Sequence, residues 1–326
     1  MRHAQLALLM LRYRVAAMLW MFMLLGAAGH GGLERPSARL ASAAVALAAT
    51  YVAATTANDV ADREIDLVNH PRDRGRPLVT REATPADLWR VHVAAVAVAL
   101  AAAAPAGAAI AGLTALSLLI AWVYSLRPLV LSHRTYLAHL CLAVAYVAVP
   151  YALGLASAGA RPGRGDLLLG TALFALFLAR IVLKDFRDRE GDARFGKPTL
   201  LLRFGKAATC AVSGGALAAG DVLLLVALRP DAGLALLLQG YVAGAAWMLV
   251  RLLRAGTQRE EQVAIGTGAR VGNGLLLTLL AWRALEAHGV PAGQRLLVAA
   301  SLAVLFAYGL AVLAARPDRV VLGYKG

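Results

Sequence analysis

Two short stretches of this sequence carry carboxylates at helical spacing. The first reads Asn58-Asp59-Val60-Ala61-Asp62-Arg63-Glu64-Ile65-Asp66, and the second Lys184-Asp185-Phe186-Arg187-Asp188-Arg189-Glu190-Gly191-Asp192. Asn58, Asp62 and Asp66 stand at i, i+4 and i+8, so a helix presents them as one stripe. Asp185, Asp188 and Asp192 stand at i, i+3 and i+7 and share a face in the same way. Stacked carboxylates repel by a few tenths of a kcal/mol per pair, so each stripe calls for a cation. Magnesium suits it, taking one or two carboxylates, keeping water, and completing its shell with phosphate oxygens. Two such stripes facing each other would hold metal ions between them, with a diphosphate bridging the ions.

Basic residues crowd the same stretches. Arg63, Arg72, Arg74 and Arg76 follow the first stripe, Lys184, Arg187, Arg189, Arg194 and Lys197 surround the second, and Arg127 and Arg134 flank a loop between them. Arginine and lysine beside acidic metal ligands are what a polyphosphate site requires. The plainer explanation for any one of them is loop charge at a membrane surface.

The elements that must position these residues are membrane helices. The chain has 326 residues, is 60% hydrophobic and carries a net charge of +14, with a mean hydropathy of +0.66. The apolar residues fall in blocks of roughly 17–25, the length that crosses about 30 Å of hydrocarbon. No segment alternates with the period of a barrel strand, so helices are the remaining way to satisfy the backbone in lipid. Spans are expected near 15–32, 39–58, 87–104, 107–125, 136–158, 166–184, 207–228, 232–252, 271–288 and 294–314. The expected fold is therefore all-α, a polytopic membrane bundle of nine or ten helices, with residues 1–326 forming one integral membrane domain. The two acidic helix ends, four spans apart, hint at an internal duplication.

Charge sets the orientation. With the N-terminus in the cytoplasm, roughly 26 of the basic residues fall on inward segments and about six on outward ones. The long loops at 59–86, 126–135, 184–206 and 252–270 are then cytoplasmic. This distribution accounts for the positive charge without nucleic acid as a partner. Cys141 and Cys210 lack metal-ligand spacing and make no disulfide framework. The mildly basic Met1–Arg14 stretch reads as the approach to the first span rather than a cleaved signal. High Ala, Arg, Gly and Val usage points to a GC-rich bacterial source.

Residues outside the stripes read more plainly. Asp87 caps a helix after Thr84-Pro85. His92 and His139 read as satisfied residues on apolar spans, and His133 as a loop residue with weak claim to substrate. Arg283 and Glu286 pair or snorkel at a span end. Asp221, inside an apolar run, needs an internal partner or a helix interruption.

These motifs resemble the UbiA superfamily of intramembrane prenyltransferases. The first stripe matches N-D-x-x-D-x-x-x-D and is followed by Asn69-His70-Pro71 and Arg76-Pro77-Leu78. The second matches D-x-x-x-D and is followed by Gly196-Lys197-Pro198-Thr199. Between them Tyr124-Ser125-Leu126-Arg127-Pro128-Leu129 resembles the family's tyrosine-serine segment, although Arg127-Pro128 and His133-Arg134 stand where many members have a proline pair and a lysine. The segment from Gly191 to Thr199 is most similar to the menaquinone-type and chlorophyll-type branches. The resemblance spans roughly residues 10 to 290.

The resemblance implies a bundle around a central cavity, two magnesium ions and a bound isoprenyl diphosphate in the lipid bilayer. It implies one metal on Asn58, Asp62 and Asp66 and the other on Asp188 and Asp192, with Asp59 and Asp185 as helpers. Lys184, Arg127, Lys197, Arg76 and Arg63 are its candidates for the diphosphate, and Tyr124, Tyr51, Tyr146 and Tyr151 for the cavity wall. It implies transfer of the isoprenyl group, through an allylic cation, to an aromatic or other lipophilic acceptor. Within the superfamily the alternatives are a membrane terpene cyclase and a phosphoribosyl-type transferase. Outside it, a cation-binding transporter would place its acids nearer the bilayer midplane.

Overall fold

The structure, a computed structural model, describes residues 3–324; of the basic N-terminal stretch read above, Met1 and Arg2 lie outside these. In chain order the helices are α1 (His3–Met10), α2 (Tyr13–Ala28), α3 (Ala38–Ala61), α4 (Arg63–Asn69), α5 (Pro85–Ala103), α6 (Ala108–Ser125), α7 (Leu137–Ala143), α8 (Val149–Ser157), α9 (Arg164–Ile181), α10 (Asp185–Arg194), α11 (Leu200–Leu228), α12 (Ala232–Arg254), α13 (Gln258–Ala287), α14 (Ala292–Ala314) and α15 (Pro317–Tyr324). Among the described residues there is no strand. Among the described residues nine helices, some of them compound, are long and apolar enough to cross a membrane; the bent pair α1–α2, angled at 59°, makes up to a tenth. The protein is an all-α polytopic membrane bundle.

Local chemistry sets most helix starts. Ser37, Thr199 and Asp231 each accept a hydrogen bond from the backbone N–H three residues on, filling a donor left open at a helix start. Thr84 and Asp87 form a capping box with Pro85 in the first turn, as the sequence indicates. A second box, Thr257 with Glu260, begins α13. This corrects the expected loop at 252–270, because α13 starts at Gln258 and its 30 residues extend about 45 Å, well past the hydrocarbon. Its polar first turns carry Glu261, which is buried and bonded to Arg189 at 2.8 Å and Lys206 at 3.0 Å.

Small residues bring the inner helices together. A Cβ on Gly26 would collide with the Tyr151 carbonyl, and one on Gly154 with the Met23 carbonyl. The backbones of α2 and α8 therefore cross in direct contact, the small-residue packing favoured where lipid offers no hydrophobic drive. Around this crossing lie two large clusters: one joins Phe22 to Phe177, Leu224, Leu238 and Leu275, the other joins Leu19 to Leu47, Ile110 and Leu153. Asp221 finds its internal partner in Gln239, whose Nε2 donates at 2.7 Å, and Arg283 donates to Glu286 at 2.7 Å.

Gly154→Ala should destabilise the protein by about 1–3 kcal/mol or more through overpacking, whereas Gly29→Ala, where an added Cβ meets nothing within 4 Å, should be nearly neutral. Thermal unfolding of the two variants in one detergent measures the difference.

Candidate active site

The acidic stretches meet at one end of the bundle. α3 ends at Ala61 and α4 begins at Arg63, yet the i+4 ladder continues across the join: Asp62 N–H donates to the Asn58 carbonyl, Asp66 N–H to Asp62, and His70 N–H to Asp66, each at 2.8 Å. The stripe therefore survives the break, and Asn58 Nδ2 donates to Asp62 Oδ2 at 2.9 Å. On the other side α9 passes through a 3₁₀ turn, Val182–Lys184, into α10.

α4 and α10 touch where the chain leaves no side chain in the way. A Cβ on Gly191 would lie 2.7 Å from both Asn69 Nδ2 and the Ile65 carbonyl. In its absence the Gly191 N–H donates to Asn69 Oδ1 at 2.6 Å, and His70 Nε2 bonds Asp188 Oδ1 at 3.0 Å. Burial lowers the His70 pKa; the neutral ring donates from Nε2 and holds the Asp188 carboxylate. Asn69 and His70 thus clamp one stripe to the other.

A cavity of about 460 Å³ opens against this clamp. Asn58, Asp62, Asp66, Asp188 and Asp192 line its acidic end, with Lys184, Arg187, Lys197 and Arg76 among them; Tyr51, Tyr124, Tyr146 and Phe177 are among the residues lining the rest, with Arg12, Arg14, Arg180, Arg270 and Asn273. The Lys197 ammonium lies 3.5 Å from Asp192 and 3.8 Å from Asp62, so one positive charge already bridges the stripes. Neither carboxylate oxygen of Asp192 receives a hydrogen bond from a described residue, although both are buried. Burial pushes the Asp66 carboxyl up to about 8, against the pull of Arg76 and with help from Asp59, Asp62 and Asp188. This concentration of negative charge demands cations.

The structure departs from the sequence expectations at five positions. Asp59 does not line the cavity: one residue along from Asn58 it faces about 100° off the stripe, where Arg12 holds both its oxygens at 2.7 and 2.8 Å and Arg76 approaches at 3.4 Å. Asp185 is outside the cavity lining and bonds His139 at 3.2 Å, with the Lys184 ammonium at 3.4 Å. Arg63 and Arg127 are exposed and outside the cavity lining. Tyr151 packs in the core, with its hydroxyl on Asp166 at 3.4 Å. Tyr151 stands five residues beyond Tyr146, about 140° around a regular helix.

Other residues enter the site that the acidic motifs do not announce. Arg12 organises Asp59, and Arg76 joins Asp59, Asp66 and Asp73. Arg180 and Asn273 line the cavity and bond each other at 2.7 Å. Arg180 was visible in principle as a charge inside an apolar span. His92 is a satisfied residue, bonded to the Ala53 carbonyl at 2.9 Å and Trp122 at 3.1 Å.

Among the described residues no three carboxylates, histidines or thiols converge to enclose a metal ion. What the chain offers is a partial shell facing an open cavity: Asp192 with its unbonded oxygens, and Asp62, Asp66, Asp188 and the Asn58 amide beside it. This donor set fits a hard cation that takes its remaining oxygens from water or a phosphate.

Residues 15–274 match the model of the UbiA prenyltransferase family. The chain belongs to that family. Among curated proteins it is 25% identical over 158 residues to the chlorophyll synthase of Oryza sativa subsp. japonica, a match covering 46% of this chain and 41% of the relative. Among solved structures it resembles a digeranylgeranylglyceryl phosphate synthase, with a TM-score of 0.64 at 15% identity over 88% of this chain and 100% of the other. It also resembles a UbiA homologue from Archaeoglobus fulgidus bound to DMAPP and Mg2+, with a TM-score of 0.55 at 19% identity over 94% and 99%. At these identities the solved structures speak for the fold.

Gly191→Ala should push α4 away from α10 and weaken divalent-cation binding about 10–100-fold, the usual consequence of disturbing groups that orient ligands. Glu190→Ala, at an exposed neighbour, should leave it unchanged. Calorimetric titration of each folded variant with Mg2+ checks this.

Proposed function

We propose that the chain is a magnesium-dependent prenyltransferase, acting as one intramembrane domain, that moves an isoprenyl group from an isoprenyl diphosphate to an aromatic or other lipophilic acceptor. One observation carries the reading: five metal-competent groups and four cations gather at one end of a cavity that Leu19, Leu47, Tyr51, Tyr124, Tyr146 and Phe177 also line. A molecule with a polyanionic head and a hydrocarbon tail is complementary to both parts. Family membership and the Archaeoglobus relative solved with DMAPP and Mg2+ support it.

In this reading Asn58, Asp62 and Asp66 hold one ion and Asp188 and Asp192 the other. Bound magnesium supplies Lewis-acid stabilisation of the charge that builds on the leaving diphosphate. Lys184, Lys197, Arg76 and Arg187 face the same oxygens and add fixed positive charge in a low-dielectric setting. As the allylic carbon–oxygen bond breaks, the carbon chain becomes cationic, and the rings of Tyr51, Tyr124 and Tyr146 offer it π-faces worth ~0.5–2 kcal/mol each. The enclosing helices keep water from that cation, leaving it for the acceptor's nucleophilic atom, which forms the new bond and then loses a proton. Arg63, Arg127 and Tyr151 have no part in this assignment, and Asp59 and Asp185 act through the cations and histidine they hold. The Lys and Arg bias of the loops supports a cytoplasmic acidic end.

The test is diphosphate release by the purified protein, offered isoprenyl diphosphates with and without a pool of aromatic acceptors, in Mg2+ and in chelator. Release that needs both Mg2+ and an acceptor supports the transferase. Release without an acceptor, giving a cyclic hydrocarbon, would replace it with a cyclase. Asp62→Asn and Asp188→Asn should each lower turnover about 10²-fold or more in protein that remains folded, whereas His92→Ala should cost far less. Near-normal turnover in both aspartate variants would overturn the metal assignment.

A further inference from the structure

A second cavity, of about 90 Å³, lies behind the first among α9, α11, α12 and α13. Phe177, Arg180 and Ala269 line both spaces. Ala269 has almost no bulk, and the Arg180 guanidinium reaches away to the Asn273 amide at 2.7 Å. The Arg180 side chain, which also donates to Met18 Sδ at 3.4 Å, and the Phe177 ring form the partition, and the ring is its apolar part. Phe177 is 5% exposed and held on two sides, stacked on Tyr146 at 5.6 Å and meeting the edge of Phe22 at 6.2 Å.

The second cavity makes no polar demand on an occupant. Leu173, Leu217, Leu249 and Leu275 supply much of its wall. Its polar side chains are already bonded: Tyr241 to Thr278 at 2.9 Å, Ser213 to the Ala179 carbonyl at 2.6 Å, and the Arg180 guanidinium to Asn273 at 2.7 Å. Such a space accepts hydrocarbon only.

Its position relative to the acids gives that hydrocarbon a source. Phe177, Ile181, Lys184 and Asp188 stand at i, i+4, i+7 and i+11 and all line the central cavity. Phe177 lies seven residues before Lys184, about 10 Å back along the helix axis. A donor whose diphosphate rests on Lys184 and beside Asp188 has its carbon chain directed along this face, and the face ends at the Phe177 ring.

We propose that Phe177 is the stop that sets the length of isoprenyl chain the protein accepts, and that the apolar cavity behind it is the space a longer chain enters when the ring is removed. This rests on the prenyltransferase reading. It assigns the space to the donor's tail; an acceptor with its own hydrocarbon tail is the competing source.

The experiment compares ten-, fifteen- and twenty-carbon donors on the full-length protein in lipid nanodiscs, measuring kcat/KM for diphosphate release and, independently of turnover, donor binding by thermal shift. Phe177→Ala should move the long-to-short preference ratio about tenfold or more toward long donors, as expected when an apolar pocket gains room for further methylenes. Phe177→Leu should move it less and guards against a folding failure of the alanine variant. Ala245→Phe, which refills the second cavity, should reverse the shift when combined with Phe177→Ala and leave the ratio unchanged alone. An unchanged ratio in active, folded Phe177→Ala and Phe177→Leu protein would overturn the length assignment and leave the prenyltransferase reading standing. A shift seen only when the acceptor's tail is varied would overturn the donor assignment. Neither release nor binding of any donor by the unaltered protein would overturn both readings together.

Discussion

The structure depends on keeping a crowd of carboxylates at the end of a membrane bundle. Asp59, Asp66, Asp185 and Asp192 are buried, and a buried charge stripped of its partner costs about 3–5 kcal/mol. The chain meets this with shared cations rather than isolated pairs. Arg76 serves Asp59, Asp66 and Asp73, while Arg12 takes the far side of Asp59. Lys197 stands between Asp62 and Asp192. Arg76 and Lys197 each face more than one carboxylate, and Arg12 ties the bend between α1 and α2 to Asp59, so the network holds these segments against one another. The same sharing leaves carboxylate oxygens turned into the cavity, where a hard cation finds donors without the protein having to unfold a pair.

The geometry of helices decides how much of this was legible in the sequence. Asn58, Asp62, Asp66, Asp188 and Asp192 were placed by periodicity, because i+4 hydrogen bonding fixes side-chain direction even across the interruption at Asp62. Asp59 and Arg63 were misplaced by the motif as a string of letters: a residue one position from a stripe faces about 100° away. Asp185 and Tyr151 fail for other reasons. Asp185 shares α10 with Asp188 and Asp192 but is held by His139, a partner from α7 that the motif does not contain, and Tyr151 stands five residues beyond Tyr146, about 140° around a regular helix. Arg127 sits in a loop whose direction only the packed structure gives. The start of α13 at Gln258 was hidden because its first turns are too polar to count toward a span, although the Thr257–Glu260 capping box marks it.

The clamp between the stripes shows what a one-dimensional motif contains when read with the fold. Gly191 looks like a spacer between two acids. Its hydrogen atom is what lets the Asn69 amide and the Ile65 carbonyl approach, and its N–H is the donor that Asn69 receives. Asn69 and His70 look like the tail of the first motif, yet their partners, Gly191 and Asp188, belong to the second. The two motifs are one structural unit divided between distant parts of the chain.

That division explains why the site is polar at one end and hydrocarbon at the other. The stripes come from α3–α4 and from α10, and they face each other only because α2 crosses α8 at Gly26 and Gly154 and α9 continues through its 3₁₀ turn into α10. The helices that bring the acids together must be apolar along the rest of their length to lie in lipid. Their inward faces then give the space beyond the acids the aromatic and aliphatic walls of Tyr51, Tyr146 and Phe177. Charged helix ends that meet at the edge of a membrane bundle thus join a cluster of acids and cations to a cavity with aromatic walls. The reach of that cavity is fixed by whichever large side chain on α9 first closes it.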